Sequence, residues 1–200
     1  MDETGTSSTE AKAYEGKISE LWIYKTLRYN LFVLMICWMA CSFGFYMLSY
    51  VLKYLHGSIF VNAYASAIAE IVGKLSSIIL LRFMSLKRVL LIAYGTAAIG
   101  TVLLITFSTS AAWIPLMLLI AKFGFSQAFV AAYLGVILLY PTILTSTAMG
   151  VCNLLARVAS ITAPLVAEVR SPLNLTILLV IAGFALLSSQ CLTIPAQKAS

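Results

Sequence analysis

Long apolar stretches alternate with short polar breaks along this chain, and each apolar stretch has the length of a membrane-spanning helix. A spanning helix needs about 20 mainly apolar residues, and six such stretches follow a polar start. We predict helices at about 31–52, 58–81, 89–107, 112–139, 142–167 and 172–194. The fourth stretch is longer than a bilayer requires, and we interpret it as one tilted helix with Pro115 in its early turns.

The two ends of the chain are more polar than its middle. Residues 1–16 are rich in Ser, Thr and Glu and have too little apolar surface to fold alone, so we predict a disordered cytoplasmic tail. Within 17–29, Ile18, Leu21 and Trp22 follow helical spacing, which predicts an interfacial helix at the membrane surface. The six-helix transmembrane domain then covers 30–195, and 196–200 is a short tail.

Composition supports an all-α integral membrane protein. Hydrophobic residues make up 62% of the chain and charged residues 10%, against roughly 25% charged residues in soluble domains. One His and the absence of HExxH, P-loop or Ser/His/Asp patterns leave no set of catalytic residues. The four cysteines lie in apolar stretches, where they behave as small hydrophobic residues. We therefore expect no enzymatic activity, no cofactor and no metal site.

Basic residues predict the orientation of the bundle. With six spans both termini lie on one side, and that side collects eight basic residues, Lys12, Lys17, Lys25, Arg28, Arg82, Lys87, Arg88 and Lys198. The other side has two, Lys53 and Arg170. Because short cytoplasmic loops are enriched in Lys and Arg, we expect cytoplasmic termini, or the matrix or stromal side in an organelle. The net charge of +6 thus reflects topology, and we expect no nucleic-acid partner.

Four charged residues fall well inside predicted spans: Glu70, Lys74, Lys122 and Arg157. A charge at mid-bilayer costs at least about 2.5–3.5 kcal/mol, so such residues usually face a cavity, a partner or an ion path. Glu70 and Lys74 are four residues apart, so their side chains meet on one helix face. They either neutralise each other or contribute to a site. The set carries two more positive than negative charges, which favours an anion, a zwitterion or an acidic partner helix.

The candidate site residues differ in the contacts that they can make with a substrate. Arg157 is the stronger basic candidate, because guanidinium binds carboxylates in a bidentate manner and keeps its proton. Lys122 either faces the cavity or is satisfied by backbone carbonyls. The aromatic run on the first span either lines a substrate path or packs against lipid, packing being the more common role; it comprises Trp38, Phe43, Phe45, Tyr46 and Tyr50.

The segment 121–166 resembles the tenth and eleventh spans of organic cation, organic anion and carnitine transporters of the major facilitator superfamily. The resemblance rests on AKFGFS at 121–126, YPT at 140–142, and ARVASITAPLV at 156–166. Upstream, 18–50 resembles the approach to the seventh span, and 58–71 resembles the eighth with its acid at Glu70. The resemblance implies half of a major facilitator fold, spans seven to twelve, without the N-terminal half.

In that family the substrate site lies near the midplane between two six-helix halves. The resemblance implies that Tyr46, Glu70, Lys122 and Arg157 face the central cavity, and that the substrate is an organic ion. The basic residue at Arg157 is similar to the anion and carnitine branches. The resemblance also implies a plasma membrane location, although an organelle membrane remains an alternative.

Several family features are altered. The acid before the YPT motif is Leu138 here, the turn 83–88 reads FMSLKR without its Asp and Gly, and IPAQ stands at 194–197 where the family has LPET. The resemblance implies that these positions normally carry charged residues that join the cytoplasmic helix ends during alternating access. Three hypotheses follow: a transporter half working by alternating access with a partner half or dimer mate, a non-transporting structural or accessory subunit of a larger membrane complex, and a truncated gene product.

Overall fold

The computed structural model describes residues 22, 25–55, 57–107 and 112–193. Within these ranges it contains six helices that are long and apolar enough to cross a membrane, and no strand. They are α1 (Lys25–Val51), α2 (Ile59–Phe83), α3 (Leu86–Thr106), α4 (Ile114–Leu139), α5 (Thr142–Ala167) and α6 (Leu173–Gln190). The prediction of an all-α membrane protein is confirmed, and the six-helix bundle is consistent with half of a major facilitator fold.

The helix ends follow local backbone chemistry. Helix α4 is continuous, and Pro115 lies in its first turn, where an amide N–H would have no partner within the helix. Pro141 and Pro172 directly precede α5 and α6. Helix α1 already begins at Lys25, inside the segment 17–29 predicted as interfacial. The predicted tails 1–16 and 196–200, and most of 17–29, lie outside the described residues.

Helix α4 occupies the centre of the bundle and packs against α1, α2 and α3. Helix α1 also packs against α5 and α6, and α3 packs against α6. At Gly124 on α4, an added Cβ would lie 2.6 Å from the Ala93 carbonyl oxygen of α3 and would also meet the backbone of Ala97. Small residues at such positions let two helix backbones approach closely, which accounts for the tight α3–α4 contact.

Polar side chains tie the helices together at one end of the bundle. The side-chain amide of Asn30 donates to the Thr193 carbonyl at 2.8 Å, and its oxygen accepts from the Thr193 amide at 2.9 Å and from its hydroxyl at 2.8 Å. The Tyr140 hydroxyl donates to the Leu27 carbonyl at 2.8 Å. The start of α1 is thereby attached both to the segment after α6 and to the end of α4.

Helices α2 and α5 are the most exposed members of the bundle. In the most apolar segments of α2 and α5, 22% and 17% of the residues are buried, against 72% for α1. Their exposed faces carry large apolar side chains, including Phe60, Tyr64, Ile71, Leu154, Ile161 and Leu165. These faces are available to lipid or to further helices.

The described charges are distributed unevenly between the two ends. Lys25 and Arg28 start α1, and the α2–α3 turn at the same end carries Arg82, Lys87 and Arg88. The Lys87 ammonium donates to the Gln190 carbonyl at the end of α6, 3.1 Å away. At the opposite end Lys53 and Glu168 form an ion pair of 3.8 Å beside Arg170. One end of the bundle is therefore strongly basic.

Candidate functional site

The buried side chain of Lys122 forms the centre of a charged cluster between α1 and α4. This residue is 1% exposed. Its ammonium donates to the Phe45 carbonyl at 2.7 Å and to the Ser49 hydroxyl, both on α1. It also lies 3.6 Å from the centroid of the Phe45 ring, within the range of a cation–π contact. Two oxygens and an aromatic face thus compensate for the burial of this charge.

Glu70 and Lys74 lie beside this centre on α2. Their side chains form an ion pair at i, i+4 spacing and are 33% and 42% exposed, respectively. The Lys74 ammonium is 5.8 Å from the centroid of the Phe45 ring, so two ammonium groups approach the same ring. With one carboxylate and two ammonium groups, the cluster carries a net charge of +1.

A glycine brings α2 close enough to form this arrangement. A Cβ on Gly73 would lie 2.7 Å from the Phe123 carbonyl oxygen and 3.0 Å from Cβ of Ser126 on α4. Real Cβ atoms do not approach a backbone oxygen so closely, so α2 could not pack here with a larger residue. Gly73 lies between Glu70 and Lys74 along the helix, and Phe123 is next to Lys122. The close contact therefore sets the distance between the ion pair and the buried lysine.

Half-buried aromatic rings extend from the cluster along α1 and α4. Tyr46 meets Phe45 edge to face at 5.5 Å, and Phe45 contacts Phe129 at 5.8 Å. Phe129 contacts Tyr133 at 5.2 Å, and Tyr133 contacts the buried Trp38 at 4.2 Å. The first three distances lie within the 4.5–7 Å typical of favourable aromatic pairs, and the Tyr133–Trp38 pair is slightly closer. The rings form an aromatic wall next to the charged cluster.

Arg157 lies on a different part of the bundle. It is exposed on α5 and makes no hydrogen bond or ion pair with any residue that the structure describes. Successive positions at steps of three or four residues place it on one stripe with small or polar residues, Ser146, Gly150, Asn153 and Ser160. The opposite flank of the exposed face carries Leu154, Ile161 and Leu165. The guanidinium thus belongs to a polar stripe of α5.

The structure brings together four of the five residues predicted as a site. Tyr46, Lys74 and Lys122 contact Phe45, and Glu70 pairs with Lys74. Arg157 has no described contact with this cluster. Their role in binding stays a prediction. Ser49 was not among the predicted site residues, because 73 positions of the chain separate it from Lys122 and no local pattern marks their contact. Phe45 and Phe43 belong to the same predicted aromatic run, yet Phe43 is buried in the apolar core.

Acidic, histidine and cysteine side chains are the usual protein ligands of metal ions. Among the residues that the structure describes, no three of them come together as a metal site would require. The free cysteines Cys37, Cys41 and Cys152 are buried within the helix bundle. The chemistry available at the cluster is that of two cations, one carboxylate and aromatic faces.

Sequence comparison identifies relatives of this chain. The chain is 29% identical over 129 residues to mouse solute carrier family 22 member 4, and the aligned region covers 64% of this chain and 23% of that protein. It is 32% identical over 130 residues to human organic cation/carnitine transporter 2, covering 64% of this chain and 23% of the relative. It is 32% identical over 165 residues to mouse organic anion transporter 3, covering 79% and 29%, respectively.

The homologues of this chain are organic cation, carnitine and anion transporters of solute carrier family 22. The chain spans about a quarter of the length of these curated relatives. No protein-family model matches it. The six apolar helices and this homology together identify a multi-pass membrane protein related to part of an organic-ion transporter.

Proposed function

We propose that this bundle forms one half of an organic-ion transporter and that its substrate is an organic anion or zwitterion. The observation that carries this proposal is the convergence of Lys74 and Lys122 on the ring of Phe45, with Glu70 paired to Lys74. Homology to transporters named for carnitine and for organic anions supports the same class of substrate.

The exposure of the charged groups suggests how such a substrate binds. Lys122 is sealed behind Phe45, so it contributes positive potential rather than direct contact. The Glu70–Lys74 pair is accessible and offers opposite charges side by side. A zwitterion can satisfy both groups at once, with its cationic group at Glu70 and its carboxylate at Lys74. Arg157 adds a third positive charge, suited to a bidentate carboxylate contact.

The exposed surfaces of α2 and α5 suggest where the opposite half packs. The polar stripe that contains Arg157 lies in a span, and an unpaired charge facing lipid is costly. A second helical bundle over this stripe would enclose a cavity between the two halves, at the depth where such transporters bind substrate. We propose that movement of the two halves relative to each other opens this cavity alternately to one side of the membrane and to the other.

Uptake into proteoliposomes tests the proposal. The chain, purified from its native membrane with any bound partner, is assayed with carnitine as the zwitterion, a monovalent organic anion and a monovalent organic cation. We expect saturable uptake of the zwitterion or the anion. Loss of one charge-assisted hydrogen bond, worth about 1.5–3 kcal/mol, predicts a roughly 10- to 100-fold weaker apparent affinity in Arg157→Ala, with partial recovery in Arg157→Lys.

The matched control is Arg170→Ala, which removes an exposed arginine outside the helices and should leave uptake unchanged. Equal losses in both variants would indicate a general effect of surface charge and contradict a role for Arg157. Preferential uptake of the cation would contradict the proposed substrate class.

A second candidate function, a non-transporting subunit of a larger membrane complex, is favoured by a specific observation. The charges of the cluster are compensated internally: Glu70 pairs with Lys74, and Lys122 is bonded to Phe45 and Ser49. Such an arrangement also suits a static scaffold, as do the altered family residues at the helix ends. Stoichiometric recovery of the chain in a complex without uptake activity would favour this function over transport.

A further inference from the structure

One face of α1 lines two cavities at different depths of the bundle. The first lies at the basic end, has a volume of about 310 Å³, and is lined by Lys25, Thr26, Arg28, Tyr29, Phe32 and Thr193. The second is an apolar groove of about 440 Å³ between α1, α5 and α6. Its walls include Ile36, Met39 and Phe43 of α1, Ala159 of α5, and Phe184 of α6.

The two cavities follow each other along a single stripe of α1. Tyr29, Phe32, Ile36, Met39 and Phe43 succeed one another at steps of three or four residues, which places them on one helix face. From Arg28 to Phe43 the helix rises about 22 Å at 1.5 Å per residue. Half of a bilayer with its headgroups measures roughly 20–22 Å. The stripe therefore has the depth of one lipid leaflet, polar at its end and apolar toward the midplane.

The polar end of the stripe is suited to an anion. Lys25 and Arg28 are both exposed, and in the described part of the chain Arg28 makes one long hydrogen bond, 3.5 Å to the Trp22 carbonyl. The acids that the structure describes lie elsewhere: Glu70 pairs with Lys74, and Glu168 is at the opposite end of the bundle. No described carboxylate therefore competes for these two cations.

Hydrogen bonds hold one side of the pocket in place. The three hydrogen bonds between Asn30 and Thr193 hold the segment after α6 against α1, directly beside the pocket. The groove is also separate from the Phe45 cluster. At 3.6 residues per turn, Phe43 and Phe45 lie on nearly opposite sides of α1. For the same reason Ala159 and Arg157 lie on nearly opposite sides of α5.

We propose that this α1 stripe binds an anionic phospholipid. The lipid phosphate is held by Lys25, Arg28 and the Tyr29 hydroxyl, and an acyl chain runs past Phe32 into the groove between α5 and α6. A lipid fits better than a free anion, because an apolar groove follows the basic pocket along α1 and the two together span the depth of one leaflet. Basic pockets next to membrane helices are a known form of lipid recognition.

Native mass spectrometry of the full chain in nonionic detergent tests this proposal. The probes are phosphatidylglycerol, phosphatidylcholine and water-soluble glycerol phosphate. We expect retention of phosphatidylglycerol over phosphatidylcholine. Since each basic residue near an anionic lipid contributes about 1 kcal/mol, the double variant Lys25→Ala/Arg28→Ala should bind phosphatidylglycerol roughly 30-fold more weakly. Both residues are exposed, so these truncations leave the core intact.

Two further variants separate the parts of the site. Arg82→Ala/Arg88→Ala is the matched control, because it removes two exposed basic residues at the same end outside the pocket; it should retain binding. Ala159→Phe fills the groove and should weaken the binding of phosphatidylglycerol, although the basic pocket is unchanged. Ala159→Leu repeats this test with a smaller side chain if the Phe variant does not fold.

Three results would overturn the proposal. An equal loss of binding in the Arg82/Arg88 control would indicate diffuse surface charge. Equal retention of phosphatidylcholine would show that the cations do not select the lipid. Glycerol phosphate binding as tightly as phosphatidylglycerol, with no effect of groove filling, would assign the pocket to a free anion.

Discussion

Replacing Gly73 with Ala tests whether the close approach of α2 to α4 sets the geometry of the charged cluster. The new Cβ would lie 2.7 Å from the Phe123 carbonyl oxygen, about 0.7 Å inside an ordinary contact of 3.4 Å. The obstacle is helix backbone, which cannot rotate away as a side chain does. Helix α2 must therefore move outward by several tenths of an ångström and carry Glu70 and Lys74 away from Phe45.

Two opposing terms determine the size of this effect. Overpacking typically costs about 1–3 kcal/mol, whereas Gly to Ala inside a helix contributes roughly 1 kcal/mol of stability. The net loss should reach up to about 2 kcal/mol in the free energy of unfolding. Thermal unfolding in detergent by circular dichroism measures it, and distances between spin labels on α2 and α1 report the outward shift.

Gly150 on α5 provides a matched control for this substitution. A Cβ there meets nothing within 4 Å, so Gly150→Ala should be neutral or stabilising by up to roughly 1 kcal/mol. If Gly73→Ala proved at least as stable as Gly150→Ala, with unchanged label distances, the close α2–α4 contact would not control the position of the ion pair.

Two more substitutions address the ion pair and the attachment of the chain end. Glu70→Gln should lower the free energy of unfolding by at most about 1 kcal/mol, because the proposed cavity exposes both partly accessible partners to water; a much larger loss in thermal unfolding would mean that the pair is desolvated. Asn30→Ala removes three hydrogen bonds to Thr193, at about 0.5–1.5 kcal/mol each, and should speed hydrogen exchange at the end of α6. The control is Thr106→Ala, an exposed threonine of α3 at the opposite end of the bundle; unchanged exchange in Asn30→Ala would contradict the proposed attachment.

The altered family residues and the close helix contacts occupy different parts of the bundle. Leu138 and the turn 83–88 lie at helix ends, whereas Gly73, Gly124 and the aromatic wall lie where helices meet. Helix-to-helix packing requires small residues and complementary shapes. Movement between two states additionally requires contacts that break and re-form. The uptake assay therefore decides between transport and scaffold more directly than further stability data.

Sequence alone determined the number of helices, their approximate limits and the membrane environment. These follow from apolar length and proline position, which act within one segment: Pro115, Pro141 and Pro172 each mark the start of a helix in the structure. The ion pair of Glu70 and Lys74 is likewise local, because residues four apart in a helix are neighbours.

Only the tertiary structure decided which faces meet. In a membrane helix apolar residues face lipid and protein alike, so periodicity does not mark the buried side as it does in soluble proteins. The partners of Lys122 therefore could not be read from the sequence, although the lysine itself could. The same reason explains why Arg157 is separated from the cluster and why the α1 stripe, composed of ordinary apolar residues beside Lys25 and Arg28, emerged only from the packing of α1, α5 and α6.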